Sequence, residues 1–169
     1  FELYVAPQEA ERIWNAVLDA GREFDIRPCG LGARNTLRLE ANMALYGHEI
    51  DASITPYEAG LGRIVKLDKG DFIGRAALVE RKEKGTARKL VGFKMTGRGI
   101  ARHGHEVVAD GKVVGVVTSG SMSPTLKDNI GLAYVPTALS ANGTAIGIKI
   151  RDKDVAAVVV PTPFYKRKK

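Results

Sequence analysis

Glu2 is a carboxylate in the apolar run Phe1 to Val5, with Tyr4 two positions on. Alternate side chains of an extended strand share a face, so Glu2 and Tyr4 would point the same way. A carboxylate held there can accept two parallel hydrogen bonds from an amidine-like edge, such as the N–H pair of a pterin ring. The competing reading is an exposed strand face. A second chemical group lies at Arg34, in the stretch GLGARNTLRLEANMALYGHEID from Gly30 to Asp51. At 3.6 residues per turn, Ala33, Leu37, Ala41 and Leu45 form one stripe of a helix and Leu39, Met43 and Tyr46 the opposite one, the pattern of a sandwiched helix. Arg34 would project beside Ala41 and Leu45, against buried surface. Burying a guanidinium without a partner is costly, so it requires either an anionic ligand or an internal pair with Glu40 or another acid.

Other constellations carry less chemistry. His103-Gly104-His105 supplies two imidazoles and no third ligand, too few for a structural zinc site; a turn or surface position is expected, and no metal. Ser119-Gly120-Ser121-Met122-Ser123-Pro124 lacks the Gly-x-Ser-x-Gly elbow of a serine nucleophile and reads as a polar turn between strands. Asp152-Lys153-Asp154 reads as a hairpin turn. Gly30-x-Gly32 lacks the third glycine of a dinucleotide loop; its small residues would allow close backbone approach.

The elements that must position these groups follow from periodicity. Glu2 to Val5 reads as a short strand. Ala6-Pro7-Gln8-Glu9 opens a helix with Ile13, Trp14, Val17 and Leu18 on its apolar face, Trp14 packed in the core and Gly21 at its end. Beyond the central helix, Leu61 to Leu67 suggests an edge strand, and Asp71 is placed to cap a short helix running to about Lys82. The charged run Glu80 to Gly85 reads as a connector. After it the period becomes two: strands near 91–95, 107–108 and 113–118 around Asp110-Gly111, then 130–135, 146–150 and 155–160, a set that favours a small barrel or sandwich.

With 169 residues and 44% hydrophobic content the chain can bury a core. No apolar run approaches the roughly 20 residues needed to span a bilayer. The net charge of +7 includes the terminal Lys166-Arg167-Lys168-Lys169, a run too short to argue for nucleic acid; a basic surface equally suits a polyanionic cofactor or an acidic protein. The lone Cys29 fits a reducing compartment, the bacterial cytoplasm or a mitochondrial matrix.

The run Gly30-Leu31-Gly32-Ala33-Arg34-Asn35-Thr36-Leu37-Arg38-Leu39-Glu40-Ala41, followed by Leu45-Tyr46-Gly47-His48-Glu49-Ile50-Asp51 and Thr55-Pro56-Tyr57-Glu58-Ala59-Gly60-Leu61, closely resembles the aminomethyltransferases, the T proteins of the glycine cleavage system. Phe1 to Val5, Val117 to Gly120 and Gly131 to Val135 extend the resemblance over essentially the whole chain, which corresponds to the latter half of a usual family member. The start at Phe1, without an initiator methionine, fits a mature protein or a cut fragment, and the resemblance favours the fragment. The resemblance implies an α+β fold, with part of a split α/β folate-binding region over residues 1–84 and a small antiparallel β-barrel over 85–169. It implies an enzyme that transfers a one-carbon unit from the aminomethyl-lipoyl arm of the H protein to tetrahydrofolate and releases ammonia. Glu2 and Arg34 match family residues that hold tetrahydrofolate, and Tyr165 or Arg167 lies where members add a C-terminal contact. The family's catalytic aspartate belongs to the N-terminal half, so no catalytic residue is expected here and the chain alone should be inactive without its missing partner half. Alternatives are a folate-binding relative serving RNA modification, iron–sulfur assembly or a demethylating dehydrogenase, and a nonenzymatic basic barrel that binds RNA. The scarcity of aromatics on the alternating strands argues against the last.

Overall fold

The computed structural model describes residues 1–167; Lys168 and Lys169, the end of the basic run, lie outside the described residues. Two compact units divide the chain, Phe1–Arg34 and Asn35–Lys169.

In the first unit the expected strand at Glu2–Val5 does not form: residues 1–6 have no regular structure, and no strand of this unit offers them a ladder. A 3-10 turn over Pro7–Glu9 leads into helix α1, Ala10–Ala20, with proline in the first turn as expected. None of its residues is buried, and Trp14, expected in the core, is 54% exposed. Gly21 ends the helix for a steric reason. Its φ is an ordinary −85°, but a Cβ there would lie 2.4 Å from Cγ2 of Ile26, where the chain turns back.

Helix α2 spans Leu31–Glu40, so the apolar double stripe expected to run on to Tyr46 is cut short. Asn42 adopts a left-handed φ of 56°, while the N–H groups of Asn42 and Met43 bond back to the carbonyls of Leu39 and Arg38. This is the glycine-type helix stop with asparagine in the special position. Residues 41–74 follow as turns. The strand expected over 61–67 is instead a 3-10 turn, Gly62–Ile64, because Leu61 N–H bonds back to Pro56 O and Gly60 has φ +73°. Helix α3, Arg75–Lys84, is preceded by Gly74 rather than capped by Asp71, whose carboxylate takes the N–H of Phe72. The charged run Glu80–Lys84 forms the last turns of α3, and Gly85 at φ +71° ends it.

Six antiparallel strands close a barrel in the order β1-β4-β3-β2-β5-β6: β1 Arg88–Met95, β2 Glu106–Ala109, β3 Lys112–Met122, β4 Asn129–Pro136, β5 Ala145–Ile150 and β6 Lys153–Val160. Their alternation is the one the sequence carries, and closure leaves no unpaired edge. Asp110 and Gly111, both at positive φ, make the two-residue turn between β2 and β3; Arg151 and Asp152 do the same between β5 and β6. Phe93, Val107, Val117 and Ile148 are fully buried in the interior. On the outside, Leu39 of α2 packs with Ile130 and Leu132 of β4, joined by Leu90 and Phe164.

Candidate functional site

The guanidinium that the fold holds inside is Arg38, one helical turn beyond the expected position. Its side chain is 10% exposed and that of its partner Glu49 is fully buried; Arg38 Nη1 donates to Glu49 Oε2 at 2.7 Å. Nη2 donates to Ser119 Oγ at 2.7 Å, and Nε and Nη2 both reach Asn35 Oδ1. Glu49 Oε2 also accepts the N–H of Leu45, and Glu49 O accepts the hydroxyl of Tyr134 at 2.8 Å. Burial pushes the Glu49 carboxyl pKa up. The surrounding Ser119 hydroxyl, Leu45 N–H, Thr118 and the Arg38 charge outweigh burial and leave it below the ordinary value. Burial, with the nearby charge of Glu58, pushes the Tyr134 phenol up to about 12. Arg38 therefore has the internal acid partner that was weighed for Arg34, and that acid is Glu49, not Glu40.

Glu40, buried at the end of α2, does something else. Its carboxylate accepts from Ser123 Oγ, from Thr125 Oγ1 and from Thr125 N, while its carbonyl accepts the N–H of Tyr165 at 3.0 Å. Burial raises its pKa, and the Ser123 and Thr125 hydrogen bonds lower it further than burial raises it. One residue thus fastens both the β3–β4 connection and the C-terminal segment. Ser119 and Ser121 are not in a turn, as expected, but in strand β3; the turn begins only at Ser123.

Strand β3 carries an extra residue at Thr118, since Val117 pairs with Ala133 and Ser119 with Leu132. The bulge frees the Thr118 carbonyl from the ladder. His48 Nδ1 and His103 Nδ1 both contact that oxygen, at 3.0 and 2.9 Å, and their ring centroids lie 4.2 Å apart with the planes tilted by 39°. His103 and His105 lie at a turn, as expected, and no group of three or more metal-type ligands occurs among the described residues.

The four residues expected to bind folate are all exposed. Glu2 accepts one hydrogen bond, from Tyr4 Oη at 3.0 Å, and Arg34 is in no ion pair among the described residues. Glu2 and Arg34 belong to the first unit, Tyr165 and Arg167 to the second. A carboxylate with spare acceptor capacity and an uncommitted guanidinium have the chemistry that a pterin amide edge and an anionic ligand require. A concavity of about 680 Å³ lies on the barrel, lined by Arg98, Arg102, His105, Arg151 and Lys153 among others, and by none of those four.

Helix α2 is thus fastened through buried glutamates to a closed six-stranded antiparallel barrel, which makes this an α+β chain with a barrel domain. Residues 88–166 match the glycine cleavage T-protein C-terminal barrel domain and residues 1–69 the GCVT N-terminal domain. The chain is 52% identical over 167 residues to an aminomethyltransferase of Caldanaerobacter subterraneus, covering 99% of this chain and 45% of that protein. It is 57% identical over 173 residues to that of Acidobacterium capsulatum, covering 100% and 46%. The crystal structure of glycine cleavage system aminomethyltransferase T from Bartonella henselae superposes with a TM-score of 0.84 at 34% identity, over 92% of this chain and 44% of that one. The chain belongs to the glycine cleavage T-protein family, and it spans less than half the length of the curated relatives it matches.

Proposed function

We propose that these residues form the C-terminal portion of an aminomethyltransferase that moves a one-carbon unit from the aminomethyl-lipoyl H protein to tetrahydrofolate, with release of ammonia. One observation carries the reading: the whole chain aligns, at more than half identity, with proteins named for aminomethyl transfer. In this reading residues 1–84 complete a folate-binding region and 85–169 form the C-terminal domain.

Within the pocket, Glu2 would accept the paired N–H groups of the pterin and Arg34 would set a positive charge beside it. Tyr165 or Arg167 would add a contact from the C-terminal segment, which Glu40 holds by its carbonyl. Tetrahydrofolate supplies the amine that receives the one-carbon unit. The residues of this chain bind and orient it, and orientation is the larger part of what such a site contributes. The acid that offsets developing positive charge would come from the N-terminal half, so a polypeptide of these residues alone would not turn over. Exposed apolar side chains support such a covering partner: Phe1, Leu3, Leu31, Leu37 and Ile73 are each more than 60% exposed, a surface that water tolerates poorly. Among the described residues no helix is long and apolar enough to cross a membrane, and the exposed thiol of Cys29 suits a reducing cytoplasm.

The test is tetrahydrofolate titration and lipoyl-dependent glycine cleavage by the complete protein and by the 169-residue chain. Binding and turnover in the complete protein, with turnover lost in the chain alone, support the proposal; full turnover by the chain alone would place the catalytic group within it.

A further inference from the structure

Where α3 runs into β1, a cavity of about 340 Å³ is lined by Arg81, Lys82, Lys84 and Lys89, with Tyr57, Gly85, Thr86 and Thr137 completing the wall. Four of its lining side chains are cations and none is an acid. Two bland explanations account for part of that charge. Lys84 is paired with Glu80, and basic residues in the last turn of a helix complement its negative end, worth about half a charge. Subtracting both leaves about +2.5 facing one small concavity, with Arg81, Lys82 and Lys89 in no ion pair among the described residues.

Tyr57 contributes to the wall, its hydroxyl sealed from solvent behind the cavity surface. The ring is set in place: a Cβ on Gly62 would come within 3.0 Å of Tyr57 Cδ1, so the phenol rests directly on that glycine. Gly85 at φ +71° turns the backbone at the rim, and Thr86 O is already taken by Thr137 Oγ1.

We propose that this cavity is an oxyanion site, taking a phosphate or carboxylate group between Arg81, Lys82 and Lys89. Its volume sits at the small end of ligand clefts and suits such a group, or the acidic end of a larger molecule. The site shares no residue with the proposed folate contacts, so it stands or falls apart from them.

The experiment is a titration of the complete protein carrying these residues with inorganic phosphate and, separately, with glutarate, at constant ionic strength, followed through the backbone amide resonances of residues 84–89. Saturable shifts with either anion support the site, and the tighter of the two names the ligand class. Arg81→Gln with Lys89→Gln, both exposed positions, should abolish the shifts without unfolding the protein. Arg98→Gln with Arg151→Gln, in the other cation-lined concavity, should leave them intact. Absence of saturable shifts with both anions would overturn the proposal. An equal loss in both double variants would as well, since it would report general charge screening.

Discussion

Arg38 and Glu49, eleven residues apart in sequence, meet at 2.7 Å with the carboxylate fully buried, and through Ser119 they tie the end of α2 to strand β3. Such a pair gives little net stability against an apolar replacement but is expensive to break from one side, because the survivor stays buried and unpaired. Arg38→Ala or Glu49→Gln should each cost about 3–5 kcal/mol in urea unfolding. Arg38→Met with Glu49→Leu should cost far less than the sum. Additive losses would show that the two groups act independently.

Glu40 satisfies three donors with one carboxylate, which an amide cannot do. Glu40→Gln should destabilise by about 1–3 kcal/mol. Hydrogen exchange distinguishes the carboxylate from the backbone: the Thr125 amide should lose protection, while the Tyr165 amide, bonded to the Glu40 carbonyl, should keep it. Equal loss at both would mean that the end of α2 itself had unravelled.

Acid should unfold this chain through its glutamates. Glu40, Glu49 and Glu58 all have folded pKa values below the ordinary one. Burial opposes each shift and is outweighed by hydrogen bonds, with Arg88 adding to Glu58 and Arg38 to Glu49. The stability they contribute is present in full above the unfolded glutamate pKa of about 4.3 and is lost as pH falls through the lower folded values. A thermal midpoint that stays level from neutrality to about pH 5 and then drops is expected. Glu49→Gln should flatten that drop, and an unaltered profile would remove Glu49 from the account.

The proposed folate contacts behave differently because Glu2 and Arg34 are exposed. In the complete protein Glu2→Ala and Arg34→Ala should each lower tetrahydrofolate affinity tenfold or more, the loss of a charged hydrogen bond of about 1.5–3 kcal/mol. Each should leave thermal stability within about 0.5 kcal/mol. Unchanged titration curves would reject both assignments.

The barrel was legible in the sequence because a strand with one buried face writes its geometry as alternation, and the turn at Asp110-Gly111 carries its conformation in its residue types. The family was legible in the run from Ala33 to Glu40. Periodicity misplaced the end of α2, although Asn42 was the available signal, since a helix stop rests on one left-handed residue and two backbone bonds. It also placed Trp14 in a core that these residues do not build, because amphipathicity shows that a face needs covering and not what covers it. Which arginine lies inside was decided by tertiary structure alone. Arg34 and Arg38 share one helix and one residue type, and only the bulge at Thr118, by setting the register of Ser119, and the return of Glu49 to α2 surround the second with acceptors. Sequence fixes the chemistry a side chain can offer, whereas its partners come from segments folded against it, and those contacts have no local signature.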